Sequence, residues 1–211
     1  MDIKRWMVMV ALGVGLGGMA GEAGAGDSSA ELFQKSYDSE AVGKVQEALG
    51  ALDQLPSPRR ECYVAVLRRG WLLYKLGRSG EAIDAYGKAI ALEPRSVEAR
   101  VGALAPQMAM RRWADAEAGA REVLKLDPGN YLASLRLAFS VYSLGRYPEA
   151  AALYRKLLDS YPSDVEVRAG LGWALLKSGK AADAAREFRE VLEISPRNAL
   201  SLDGLKAAGV P

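Results

Sequence analysis

Residues 145–162 read GRYPEAAALYRKLLDSYP. A glycine opens the stretch, a proline closes it, and apolar residues recur between them at helical spacing. Three further stretches share this frame: GRSGEAIDAYGKAIALEP (77–94), RRWADAEAGAREVLKLDP (111–128) and GKAADAAREFREVLEISP (179–196). Their closing prolines, Pro94, Pro128, Pro162 and Pro196, stand 34 residues apart. A fixed period of this length marks a stack of like supersecondary units and decides the architecture before local propensity is weighed.

One unit, residues 131–162, shows how the pattern works. The first helix spans Tyr131 to Leu144, and Gly145 follows where a helix end accepts a left-handed backbone. Pro148 lies at the start of the second helix, where a missing N–H costs nothing. Ala150, Tyr154, Leu157 and Leu158 form one apolar stripe on that helix. Pro162 ends it, because proline disfavours a helical residue before it. The unit is a helical hairpin, and the chain is expected to be all-α.

This pattern resembles the tetratricopeptide repeat (TPR) family. The family's paired small residues are present as Gly70 with Ala82, Ala138 with Ala150, and Gly172 with Ala184. Its second-helix aromatic is present as Tyr86, Tyr154 and Phe188, and the next aliphatic or small position as Ala89, Val123, Leu157 and Val191. The resemblance implies a right-handed superhelical solenoid of antiparallel hairpins. Four repeats are expected at 63–96, 97–130, 131–164 and 165–198, over a resemblance covering 63–196. The second departs from the pattern at Leu104, Arg111 and Ala120, and Pro106 is expected to bend its first helix. The family's tryptophan is replaced throughout by Val66, Arg100, Ser134 and Arg168. Residues 29–60 read as a degenerate N-terminal hairpin with a loop at 57–60, and 199–208 as a C-terminal capping helix.

The first residues have another character. Lys4 and Arg5 precede an apolar run from Trp6 to Ala20, and small residues including Ala23-Gly24-Ala25 follow. That is the three-part layout of a secretory signal peptide, expected over 1–25, with an uncleaved anchor as the alternative. Export to the periplasm or envelope follows, with contact to a membrane only if the segment is retained.

Of 211 residues, 50% are hydrophobic, enough for one continuous core. The formal charge is +2 with no Lys/Arg run, so no nucleic acid is expected as a partner. There is no histidine, which removes the commonest general base, and the single Cys62 makes neither an internal disulfide nor a cysteine-rich metal site. Neither cofactor nor metal is expected, and no convergent acid–base set suggests an enzyme.

The resemblance implies that the first helices line a concave groove. Its lining maps here onto Leu67, Trp71 and Tyr74, then Met108, then Leu135, Phe139 and Tyr142, then Trp173 and Leu176. Trp71, Phe139 and Trp173 hold matching places and are expected to form a ladder of aromatic anchors for a protein partner, presented as a peptide or helix segment. Packing within the solenoid is the alternative. Arg68 and Arg136 read as isolated surface arginines. The function expected is a non-catalytic adaptor. The alternative is a self-assembling scaffold (a homo-oligomer) or an accessory subunit of an envelope secretion or polysaccharide-export apparatus.

Overall fold

The computed structural model describes residues 28–209. Among them are eleven α-helices and no strand: α1 Ser29–Ala41, α2 Val45–Asp53, α3 Tyr63–Lys75, α4 Ser79–Leu92, α5 Val97–Ala109, α6 Trp113–Leu126, α7 Tyr131–Ser143, α8 Tyr147–Ser160, α9 Val165–Lys177, α10 Ala181–Ile194 and α11 Ala199–Ala208. The expected signal segment lies outside the described residues. The all-α solenoid expected from the repeat is the fold observed.

Caps set the register. First helices start after Ser28, Ser96, Asn130, Asp164 and Asn198, whose side chains each accept a backbone N–H of the first turn. Cys62 holds the same place before α3 and makes no such bond. Second helices α4, α6 and α8 begin after Arg78, Arg112 and Arg146, which pair with Glu81, Asp115 and Glu149. Those acids also sit in the first turn, where the helix dipole favours negative charge.

Gly145 ends its helix at φ 80°, as the sequence requires, whereas Arg111 takes the same turn at φ 56°. A side chain in the left-handed region is strained, so the irregular hairpin keeps its turn at a cost of about 1–2 kcal/mol. The bend expected at Pro106 does not interrupt the helix: α5 has the 13 residues of α7 and α9 and runs through the proline. Pro106 sits in the last turn and a half, so it removes one hydrogen bond and leaves the rest of the ladder standing. Leu104 is fully buried, in one core cluster with Ala120. Gly119 makes room for it, since a Cβ there would lie 2.8 Å from Leu104 Cδ2.

The core is built from small residues facing aromatic ones. Ala82, Ala138, Ala150 and Ala184 are all fully buried, and Tyr86, Tyr154 and Phe188 lie beneath the next repeat. Successive first helices pack on one another, α3 with α5, α5 with α7 and α7 with α9, whereas second helices approach less closely, α6 and α8 meeting through ion pairs. The first helices therefore form the inner wall of a curved stack.

The N-terminal hairpin keeps the same register, with α1 starting 34 residues before α3 and Gly43 matching Gly77. Its second helix stops early at Asp53, before Pro56, and the loop expected at 57–60 instead holds a short 3-10 turn, Arg59–Glu61. A coarser recurrence, two periods long, overlies the first. Tyr63 bonds Ser96 at 2.7 Å as Tyr131 bonds Asp164 at 2.6 Å. Gly102 lies against the Tyr86 ring as Gly170 lies against the Tyr154 ring.

Candidate partner-binding surface

The expected groove residues meet different neighbours despite their shared register. Leu67 is only 8% exposed and belongs to the core. Trp71 is half-buried, and its indole N–H donates to Glu40 of α1 at 2.6 Å. Trp173 is half-buried against Phe188, and its N–H donates to the Leu200 carbonyl of α11 at 3.1 Å. Phe139, between them, is 42% exposed. The three aromatics thus do not form a continuous exposed ladder, because the N-terminal hairpin and the C-terminal helix α11 cover the outer two. Leu135 and Leu176 are half-buried and pack on the core, and Tyr74 and Met108 are half-buried.

Phe139 is the centre of a cluster. Its ring meets Trp113 edge-on at 5.7 Å and stacks on Tyr142 at 6.4 Å, and Tyr142 meets Tyr147 at 5.3 Å. Exposed Met110 and Leu144 belong to the adjoining hairpin turns. The result is an apolar strip where the second and third hairpins turn. Two ion pairs brace α6 and α8 beside it: Arg146 with Glu117 at 2.7 Å and Arg121 with Glu149 at 3.0 Å. Burial alone would raise the Glu117 carboxyl, but the hydrogen bonds and charges of Arg121 and Arg146 outweigh it and hold it below the ordinary range.

Trp113, Tyr147, Met110 and Leu144 were not among the residues expected from sequence. A signal for them exists. Aligning the turns by the repeat period puts Trp113 and Tyr147 where Ser79 and Ala181 stand in the other two repeats.

The two arginines read as surface residues behave otherwise. Arg68 is 4% exposed, donates to Ser36 at 2.8 Å, pairs with Glu40 at 3.0 Å and lies over the Tyr37 ring. Two periods on from Arg68 stands Arg136, and Leu104, Ala105 and Met108 hold the register of those three partners. Arg136 donates to the Val101 carbonyl at 2.7 Å and makes no ion pair among the described residues. Burial lowers its pKa.

Among the described residues no group of His, Cys, Asp and Glu is placed to hold a metal, and no helix is long and apolar enough to cross a membrane. A regular stack of hairpins with small-to-aromatic packing and a curved inner wall defines a helical-repeat scaffold. Tetratricopeptide repeat family models match residues 107–165, 140–199 and 64–96. The chain belongs to the tetratricopeptide repeat family.

No curated protein matches the sequence. Among solved structures, MamA residues 41 to the end from Desulfovibrio magneticus RS-1 are similar, with TM-score 0.76 and 19% identity, covering 83% of this chain and 99% of that one. A crystal structure of MamA protein gives TM-score 0.72 at 18% identity, over 81% of this chain and 93% of that one. TTC0263, a thermophilic TPR protein of Thermus thermophilus, gives 0.62 at 17%, over 87% and 100%. At these identities the likeness is one of fold.

Proposed function

We propose that this chain is an exported, non-catalytic adaptor of the bacterial periplasm or cell envelope, and that it captures a protein partner on the strip centred on Phe139. The observation that carries the reading is the strip itself. A contiguous apolar surface built from Phe139, Trp113, Tyr142 and Tyr147 is one that a water-facing protein seldom keeps without a partner. Tetratricopeptide repeats are protein-interaction modules, and aromatics give large contact area at modest entropic cost. An amphipathic helix or apolar extended segment fits such a strip, with an acidic side chain opposite Arg136. Lys4, Arg5 and the apolar run to Ala20 support export.

The test is site-specific photo-cross-linking in the producing cell, with the probe at position 139 and, as control, at exposed Lys156 on α8. One defined adduct from position 139 and none from 156 is expected. The cross-linked chain should lack its first 20 to 25 residues. Adducts of equal kind at both positions, or none at 139, would refute partner capture. An adduct of twice the chain's mass would assign the strip to self-assembly instead. An intact Met1 on soluble cytoplasmic chain would refute export.

A further inference from the structure

The irregular second repeat leaves a groove on the outer side of the stack. It has a volume of about 330 Å³, lies between α4 and α6 and is floored by α5. Ile90 and Ala103 give it apolar walls, and Arg100, Gln107 and Gly119 line its centre. Two polar atoms there are buried without a hydrogen-bond partner, Arg100 Nε and Gln107 Oε1. Buried polar groups left unpaired are uncommon and costly, so a ligand that accepts from the Arg100 Nε–H gains affinity.

The chain contains its own comparison. Arg168 stands two periods after Arg100, and both guanidinia donate Nη2 to the carbonyl of the preceding repeat's closing proline. These bonds are 2.7 Å to Pro94 and 2.8 Å to Pro162. Arg168 then completes its pairing with the Glu187 carboxylate at 3.1 Å. The residue in the register of Glu187 in the second repeat is Gly119. Arg100 therefore has the same anchor and no acid in the place of Glu187; it makes no ion pair among the described residues, and the Glu122 carboxylate on the groove rim feels its charge only at longer range. The other rim charges are satisfied: Arg112 with Asp115 at 2.6 Å and Glu122 with Lys125 at 2.6 Å. A side chain at position 119 would crowd the buried Leu104, whose Cδ2 lies 2.8 Å from a Cβ placed there. Gln107 adds a second anomaly, standing where the buried Leu73, Val141 and Leu175 stand in the other repeats.

We propose that this groove binds a carboxylate carried on a short apolar stem, with Arg100 supplying the charge and Gln107 a second hydrogen bond. A half-turn of the Gln107 amide presents its NH2 group in place of its oxygen. The stem packs on Ile90 and Ala103. The bound group takes the place that the Glu187 side chain takes beside Arg168. This groove shares no lining residue with the strip around Phe139, so either can fail without the other.

The test follows arginine Nε–H resonances by NMR in the mature chain. The probes are N-acetyl-glutamate α-amide, which offers only a side-chain carboxylate, and N-acetyl-leucine, which offers only a terminal one. N-acetyl-glutamine amide and chloride are the controls. A saturable shift of Arg100 with a carboxylate probe, and none at Arg168, is expected, and the tighter probe names the source. Gln107→Leu, which restores an apolar residue where the other repeats have one, should fold normally and bind about tenfold more weakly, the loss of one charge-assisted hydrogen bond. No saturable shift, an equal response to chloride or to the neutral amide, or unchanged affinity in Gln107→Leu would overturn the proposal.

Discussion

Adding one methyl group at Gly172 should destabilise the fold, whereas the same methyl at Gly87 should stabilise it. A Cβ at 172 would lie 2.5, 2.8 and 2.9 Å from three atoms of the Phe188 ring. That ring is fully buried and cannot retreat, because Gly204 of α11 presses on it from another side. Gly87 lies on the exposed side of α4 with no atom within 4 Å of a built Cβ. Glycine to alanine inside a helix gains about 1 kcal/mol from backbone entropy, and Gly87→Ala should realise all of it. Gly172→Ala gains the same but forces overpacking worth about 3 kcal/mol, the upper part of the usual range, for a net loss of about 2 kcal/mol. The two variants should differ by about 3 kcal/mol, or roughly 6–12 °C in melting temperature for a chain of this size. Thermal and urea unfolding measure both. Phe188→Leu should partly rescue Gly172→Ala in a double-mutant cycle. If Gly172→Ala melts as high as Gly87→Ala, the account of small-to-aromatic packing is wrong.

Two further outcomes concern the N-terminal half. Burial alone would raise the Glu40 carboxyl, but hydrogen bonds from Trp71 and Lys75 and the charge of Arg68 outweigh it, so its pKa lies below the ordinary value of 4.5. A depressed carboxyl contributes stability that is present above the unfolded pKa and lost as pH falls through the folded one. Glu40→Gln should therefore cost about 3 kcal/mol at neutral pH, because it strands the buried Arg68, and should flatten the loss of stability below pH 4.5. An unchanged acid limb in urea unfolding at stepped pH would contradict this. Cys62→Ser should give α3 the cap that the other first helices have and raise stability by about 1 kcal/mol, read as a higher urea midpoint at unchanged slope. A lower midpoint would mean that the thiol's packing outweighs the cap.

The architecture was legible because the signals that carry it are local and repeated. Gly145 and Pro162 each act through their own backbone, and the same roles recur at every period. Arg111 shows the reverse case: the turn survives without glycine because hairpins packed on either side impose it. Pro106 likewise reads as a kink when taken alone, and α5 runs through it to Ala109. The binding surface was less legible because exposure at a given register depends on what the neighbouring repeat supplies. Trp71, Phe139 and Trp173 are alike in sequence position. Glu40 covers the first and Leu200 the last, whereas Met108, in the register of Glu40, has no carboxylate to hold the middle one, which is 42% exposed. Arg68 and Arg136 were hidden for the same reason, since their fates differ only through residues one repeat upstream.

The two-period recurrence has a consequence for how this chain can be lengthened or cut. The exchangeable part is a pair of hairpins, because neighbouring hairpins alternate in what they offer and accept. Excising residues 63–130 would bring Arg136 up against Ser36, Tyr37 and Glu40, and so hand it the three partners that Arg68 now has. Excising 63–96 alone would set Gly102 there and leave the Glu40 carboxylate facing a residue with no side chain. A two-hairpin step thus keeps an arginine beside the Glu40 carboxylate at this junction, and a one-hairpin step does not.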